Sequence, residues 1–409
     1  MNVEKNVPVL RFEGFSDEWV EKPLNHEVEL FSGLTYSPKD IRKEGVFVIR
    51  SSNVKNGQIV QADNVYVNPE VVNCSNVKKG DIIVVVRNGS RALIGKHAQV
   101  NSLMDNTVIG AFMTGVRASY PEFINALFDT DKFKAQVEKN LGATINQITN
   151  GAFNSMVFMF PEGQEKTAIG NTFQKLDSLI NQHQQKHDKL SNIKKAMLEK
   201  MFPKQGETIP EIRFEGFSGE WMEVQFKSIA GVRRGLTYKP DDIAENGIIV
   251  LRSSNINVDR FELRKDDVQV NKNAVNINRV KNGDILITSA NGSSNLVGKH
   301  VVVCGLTVDA VHGGFMLLAE TDVPHFLNAS MNTYWYDRFR SMNVSGGNGA
   351  IGNIKGSALE EEYLYIPKKE EQIAIGNYFQ KLDALINQHQ QQIIKLNNIK
   401  QACLSKMFV

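Results

Sequence analysis

The chain carries the same text twice, displaced by roughly two hundred residues, and a repeat that long is a duplicated domain, because solenoid units recur every ~20–50 residues. Pro8-Val-Leu-Arg-Phe-Glu-Gly-Phe-Ser-Asp-Glu-Trp19 returns as Pro210-Glu-Ile-Arg-Phe-Glu-Gly-Phe-Ser-Gly-Glu-Trp221, and Gly33 to Ile41 returns as Gly235 to Ile243. The match is tightest between Ala168 to Gln185 and Ala374 to Gln391. One architecture is therefore built at two places, and its activity is expected at both.

Each half opens with short apolar runs bounded by Gly, Asn and Asp, such as Val46 to Arg50 and Asp81 to Val86, matched by Ile248 to Arg252 and Asp284 to Thr288. Runs of this length and β-branched content predict strands of a mixed sheet. A helical stretch follows, around Glu122 to Lys139 and around His325 to Ser341, and then a glycine-rich loop, Gly142 to Gly151 and Gly346 to Gly356. Pro161 and Pro367 close each globular part.

Beyond the prolines the period changes. Ile169, Phe173, Leu176, Ile180, His183, His187, Leu190, Lys194, Met197 and Met201 alternate spacings of four and three, as do Ile375, Phe379, Leu382, Ile386, His389, Ile393, Leu396, Lys400, Cys403 and Met407. That is a coiled-coil seam, on two helices of about 37 residues and about 55 Å each. The two helices are each other's obvious partners. His183 and His389 fall at the midpoints, so antiparallel pairing brings them to the centre, where polar seam residues fix register. A zinc site from His183, His187 and His389 can be drawn, yet no acidic or thiol ligand joins it, so no metal is expected. The fold class is α+β: a mixed α/β domain over 1–161, a long helix over 162–202, a linker over 203–209, a second domain over 210–367 and a second helix over 368–409.

Composition narrows the function by exclusion. Cys74, Cys304 and Cys403 are scattered without metal-ligand spacing, which predicts reduced thiols in a cytoplasmic protein. The start of the chain lacks the pattern of a secretory signal, and the apolar runs are too short for a membrane span. A net charge of +2 means that any nucleic-acid surface must come from local patches. No phosphate-binding Gly-Lys-Ser/Thr loop, no His-Glu-x-x-His and no Gly-x-Ser-x-Gly elbow occurs. Asp241, Asp242 and Glu262 are the nearest candidates for a nuclease site, but the matching loop reads Pro38-Lys39-Asp40. No catalytic residue is assigned. A self-contained DNA-modifying or DNA-cleaving enzyme with an unrecognised site, and a scaffold with two protein-binding heads, are the rival readings.

Polar loop clusters remain, of the residue types that read base edges and phosphates. The candidates are Arg50, Ser51, Ser52, Asn53 and Arg252, Ser253, Ser254, Asn255; Arg87, Asn88, Ser90, Arg91 and Asn291, Ser293, Ser294; Lys96, His97 and Lys299, His300. The glycine-rich loops add Thr144, Asn146, Gln147 and Asn150, against Asn348, Asn353 and Lys355. Residues shared by both halves can equally hold the scaffold. Discrimination is expected where the copies diverge, at Arg87 against Ala290 and Arg91 against Ser294.

The order domain, helix, domain, helix, with Lys79-Gly-Asp-Ile82 echoed by Lys281-Asn-Gly-Asp-Ile285 and a proline followed by a glutamine at the approach to each helix, Pro161 to Gln164 and Pro367 to Gln372, resembles the specificity subunit of type I restriction-modification systems. The resemblance spans the whole chain. It implies two target recognition domains, each reading half of a bipartite sequence in double-stranded DNA, with the antiparallel helices as spacer and dock for two modification subunits. Chemistry then resides in partners: modification subunits that methylate adenine with S-adenosylmethionine, and translocating restriction subunits that cut, so that S-adenosylmethionine, ATP and magnesium are expected there and no cofactor in this chain.

Overall fold

The computed structural model describes residues 6–142, 146–257, 260–344 and 352–409. The chain divides into two compact units, one of residues 1–184 with 390–409 and the other of 185–389. The two long helices, Gly163–Lys200 and Lys369–Met407, are therefore each shared between units.

In the first unit a four-stranded antiparallel sheet runs in the order Val28–Ser32, Met113–Ala118, Ile82–Val85, His97–Gln99. A second sheet sets Thr107–Ile109 parallel to Val46–Ile49, which pairs antiparallel with Val65–Val67. The sheet system is thus mixed. Ile82–Val85 and Val46–Ile49 are buried along their whole length, which is why they read as unbroken apolar runs without alternation. The repeated Lys-Gly-Asp-Ile turn has a plain cause. Gly80 adopts φ +96°, and the Asp81 carboxylate accepts a 2.8 Å bond from the Lys78 amide while pairing with Arg117 at 2.8 Å. Gly283 and Asp284 repeat the turn, with φ +99° and a 2.8 Å bond from the Lys281 amide.

The second unit repeats this plan, with Gly231–Arg234, Met316–Glu320, Ile285–Thr288 and His300–Val302 in one sheet and Ala310–His312 parallel to Ile243–Leu251 in the other. The single helical stretch expected in each domain is two helices, Pro121–Phe128 then Asp131–Asn140, and Pro324–Ser330 then Tyr334–Asn343. In the first domain the break falls at Thr130, whose hydroxyl accepts from the Phe133 amide and restarts the helix as an N-cap.

Segments of the two long helices run antiparallel within each unit. In the first, Lys400 pairs with Asp177 at 2.5 Å, while farther along Phe408 lies against Phe173, earlier in its own helix, with the rings tilted. In the second, Lys194 pairs with Asp383 at 2.7 Å while Phe202 meets Phe379. The lysines at seam positions are thus explained, since each has a carboxylate of the other helix opposite it. The Lys-Met-Phe at the end of each long helix also serves the domain beside it. Phe408 joins Trp19 and Phe123 in the first core, and Phe202 joins Trp221 and Phe326 in the second.

Candidate nucleic-acid interface

Three loops meet at one end of the antiparallel sheet in each unit, and backbone pairing holds them together. In the first unit Arg87 and Gln147 form an antiparallel bridge, and the Asn88 amide donates to the Asn146 carbonyl at 3.3 Å. Below it the Ile148 amide donates to Val86 at 2.9 Å, with the Ile148 side chain buried as a peg. Asn88 then reaches sideways, its Nδ2 donating to Ser51 Oγ at 3.2 Å. The second unit repeats each contact. Ala290–Asn291 pairs with Gly352–Asn353, the Ile354 amide bonds Ser289 at 2.8 Å, and Asn291 Nδ2 reaches Ser253 Oγ at 3.2 Å. The order of the three loops in sequence gives no sign of this convergence, because it depends on sheet order.

Within the cluster the candidates fall into two groups. Arg87, Ser90 and Arg91, with Ser52, are exposed, as are Ser254, Ser293, Ser294, Asn353 and Lys355. Arg50, Ser51, Asn88, Asn146 and Gln147 are half-buried, like Arg252, Ser253 and Asn291. Arg50 is held by the Asp63 carboxylate at 2.6 Å. Asn53 and Asn255, by contrast, are 0% exposed and belong to the scaffold. Asn53 Oδ1 accepts from the Arg50 amide at 2.9 Å and its Nδ2 donates to the Ala62 carbonyl at 2.7 Å. Asn255 accepts from the Arg252 amide at 2.7 Å and donates to the Glu262 carbonyl and to Asp267. Their amides complete the turn that presents the neighbouring serines, so no polar atom is left to face a ligand. Asn150 is likewise engaged inward, accepting from Thr114 and donating to Ser32.

The Gly-Lys-His candidates do not join the cluster through their histidines. His97 is buried against Phe128 and Phe133, with Nε2 3.5 Å from Asp129. His300 meets Asn328 at 2.9 Å and the Met331 carbonyl at 3.1 Å. Both rings tie the last sheet strand to the helices. The glycine before each takes φ +83° and +82°, a turn requirement that explains why the triplet recurs. Lys96 is half-buried and Lys299 exposed. Thr144 and Asn348 lie outside the described residues. His183 belongs to the first unit and His389 to the second.

Two residues that sequence reasoning passed over also belong to the cluster. The Phe112 carbonyl accepts from the Val86 and Arg87 amides, and the Phe315 carbonyl from Ser289 and Ala290. Their signal was the repeated Gly110-Ala-Phe-Met113 and Gly313-Gly-Phe-Met316, easily read as an ordinary strand start.

Among the described residues no group of three or more His, Cys, Asp or Glu could hold a metal ion, and no helix is long and apolar enough to cross a membrane. Polar loop surfaces carried on a rigid sheet are the equipment of a recognition module, and their duplication beside a shared helix pair defines a tandem recognition subunit. The family can be stated as well: the chain belongs to the type I restriction modification DNA specificity domain family, whose model matches it twice, over residues 16–192 and 218–398. It is 23% identical to the type I restriction enzyme EcoKI specificity subunit of Escherichia coli K12, over 95% of this chain and 88% of that protein. Identity to the StySPI specificity subunit of Salmonella potsdam is also 23%, over 95% and 88%. Among solved structures, a type I restriction-modification S subunit from M. genitalium has the same fold, with a TM-score of 0.69 at 14% identity over 98% of this chain and 99% of that one. The chain is accordingly a non-catalytic specificity subunit, and the rival reading as a self-contained enzyme falls away.

Proposed function

We propose that this chain reads a bipartite sequence in double-stranded DNA, one half with each three-loop surface, and directs adenine methylation or restriction by partner subunits. The observation that carries the reading is that one loop cluster is built twice on the same backbone bonds while side chains on it differ, exposed Arg87 against half-buried Ala290 and exposed Arg91 against exposed Ser294. A guanidinium can donate two bonds to guanine in the major groove, and a methyl or hydroxyl cannot replace it. The two surfaces therefore read different bases. The helix pair sets the spacing of the half-sequences and docks two modification subunits, which supply S-adenosylmethionine chemistry; ATP and magnesium serve the restriction subunits.

Co-expression with the cognate modification subunit in a methylation-free host, followed by sequencing of modified adenines, tests this directly. The expected result is one bipartite motif with a fixed unread gap. A contiguous motif, or methylation without sequence preference, overturns it. Affinity of the assembled complex for its target is also expected to fall steeply with salt, because each neutralised phosphate releases counterions. Affinity that stays flat between 50 and 200 mM salt, a range over which about six to ten phosphate contacts lose ~10³-fold or more, excludes DNA as the ligand.

A further inference from the structure

We infer that Phe112 and Phe315 are base-contacting residues, the apolar element of each recognition surface, each touching only its own half of the DNA target. The inference rests on the DNA-reading function proposed above and deepens it.

Both rings stand in solvent at equivalent positions, Phe112 54% exposed and Phe315 68% exposed. Their backbones are fixed on both sides. The carbonyl of each accepts two amides from the loop that carries Arg87 or Ala290, at 2.9 to 3.1 Å. The next residue, Met113 or Met316, is buried, and its amide closes a turn on Gly110 or Gly313 at 2.9 and 2.8 Å. A ring on so rigid a support loses little freedom when it is covered, which is what a binding contact needs.

The fold itself has no use for these rings outside the core. Burying a phenylalanine is worth about 1.5–3 kcal/mol, and that gain is forgone twice at the same place. Single exposed apolar residues are ordinary, but these two sit inside the polar loop cluster of both domains, each between a shared glycine and a shared methionine, while other neighbours differ. The ring stays where Arg87 becomes Ala290 and where Ala111 becomes Gly314. In the first unit the Arg87 guanidinium lies over the Phe112 ring, 4.9 Å from its centroid, so the ring also aims that donor. In the second unit alanine replaces the arginine, and the exposed Phe315 ring offers only apolar surface. DNA bases supply the complement, in the thymine methyl group and the apolar edges of the major groove.

The test uses the complex of the full chain with its modification subunits and three duplexes: the mapped target, the same with the first half-sequence scrambled, and the same with the second scrambled. Phe112→Ala is expected to lose roughly ten- to hundredfold affinity for the intact target, the range for one good base contact. It should lose nothing further on the duplex whose own half is scrambled, and should still discriminate the other half as the wild type does. Phe315→Ala is expected to show the mirror pattern. Phe112→Leu, which keeps an apolar side chain, should retain more affinity than alanine does. Unchanged thermal unfolding of the variants confirms that the fold is intact.

Affinity equal to wild type on the intact target, or a loss on the duplex with the variant's own half scrambled as large as on the intact target, overturns the assignment. So does failure of Phe112→Ala to co-purify with the modification subunits, which makes the ring a protein contact. If the wild-type complex itself fails to distinguish intact from scrambled duplexes, it is the proposed function that falls.

Discussion

His312 occupies the position at which the first domain has Ile109, at the end of the strand that runs parallel to the buried strand of the second sheet. It is fully buried, with Nε2 3.2 Å from the Arg233 carbonyl, and burial pushes its imidazole down to about 4. The unfolded chain binds the proton near its ordinary 6.5, so between about 4 and 6.5 the unfolded state holds more protons than the folded one. The stability this neutral ring permits is present in full above 6.5 and declines as pH falls through that window, by up to about 3 kcal/mol. Replacing it with the residue its own repeat supplies, His312→Ile, should flatten the pH dependence of chemical unfolding between pH 7 and 4.5. An equally steep decline in the variant refutes the assignment. Residue by residue, sequence comparison of the halves separates two kinds of polar position only in part. Asn53 and Asn255 recur because they complete a turn, whereas Arg87 and Ala290 differ on a turn that needs neither.

The first element of each half, Arg-Phe-Glu-Gly-Phe-Ser, lacks regular strand or helix pattern and was legible only as a repeat. Its cause is tertiary. Arg11 makes two 2.7 Å bonds to the Glu165 carboxylate in the first turn of the long helix, and Arg213 bonds Glu371 at 2.7 and 2.6 Å. Both carboxylates are about fully buried. Arg11→Ala leaves the buried Glu165 carboxyl without its partner, a loss of about 3–5 kcal/mol measurable by urea unfolding. Arg11→Leu combined with Glu165→Leu should recover most of it, since the desolvation cost disappears with the charge. A double variant no better than the single one argues against the pair as the cause. The helices themselves were readable, because a period of 3.5 announces a seam whatever lies outside it. What the period does not announce is close approach. Gly170 lies where a Cβ would stand 2.7 Å from the Phe123 amide, and Gly376 repeats this at Phe326, so two glycines inside helices mark the contact with each domain.

At the scale of the whole chain, each long helix contributes to both compact units, dividing near Gln184 and near His389. Local pattern assigns residues 368–409 to the second half, and no periodicity reveals that Lys400 and Phe408 complete the first core, since that contact spans more than half the sequence. The consequence for function is that the middle of each helix can change without touching either recognition surface. The ion pairs Lys400–Asp177 and Lys194–Asp383 and the aromatic cores hold each unit from within. Inserting four residues near His183, matched by four near His389, adds about 6 Å of helix. On the spacing proposed above, the unread gap should lengthen by no more than about two base pairs, at 3.4 Å per base along a strand. Both half-sequences should remain as they were, because Arg87, Phe112, Phe315 and their loops keep every bond that places them. Methylation mapping of the inserted variant reads both quantities at once. Altered half-sequences at an unchanged gap remove the helices from the role of ruler and place spacing in the domains.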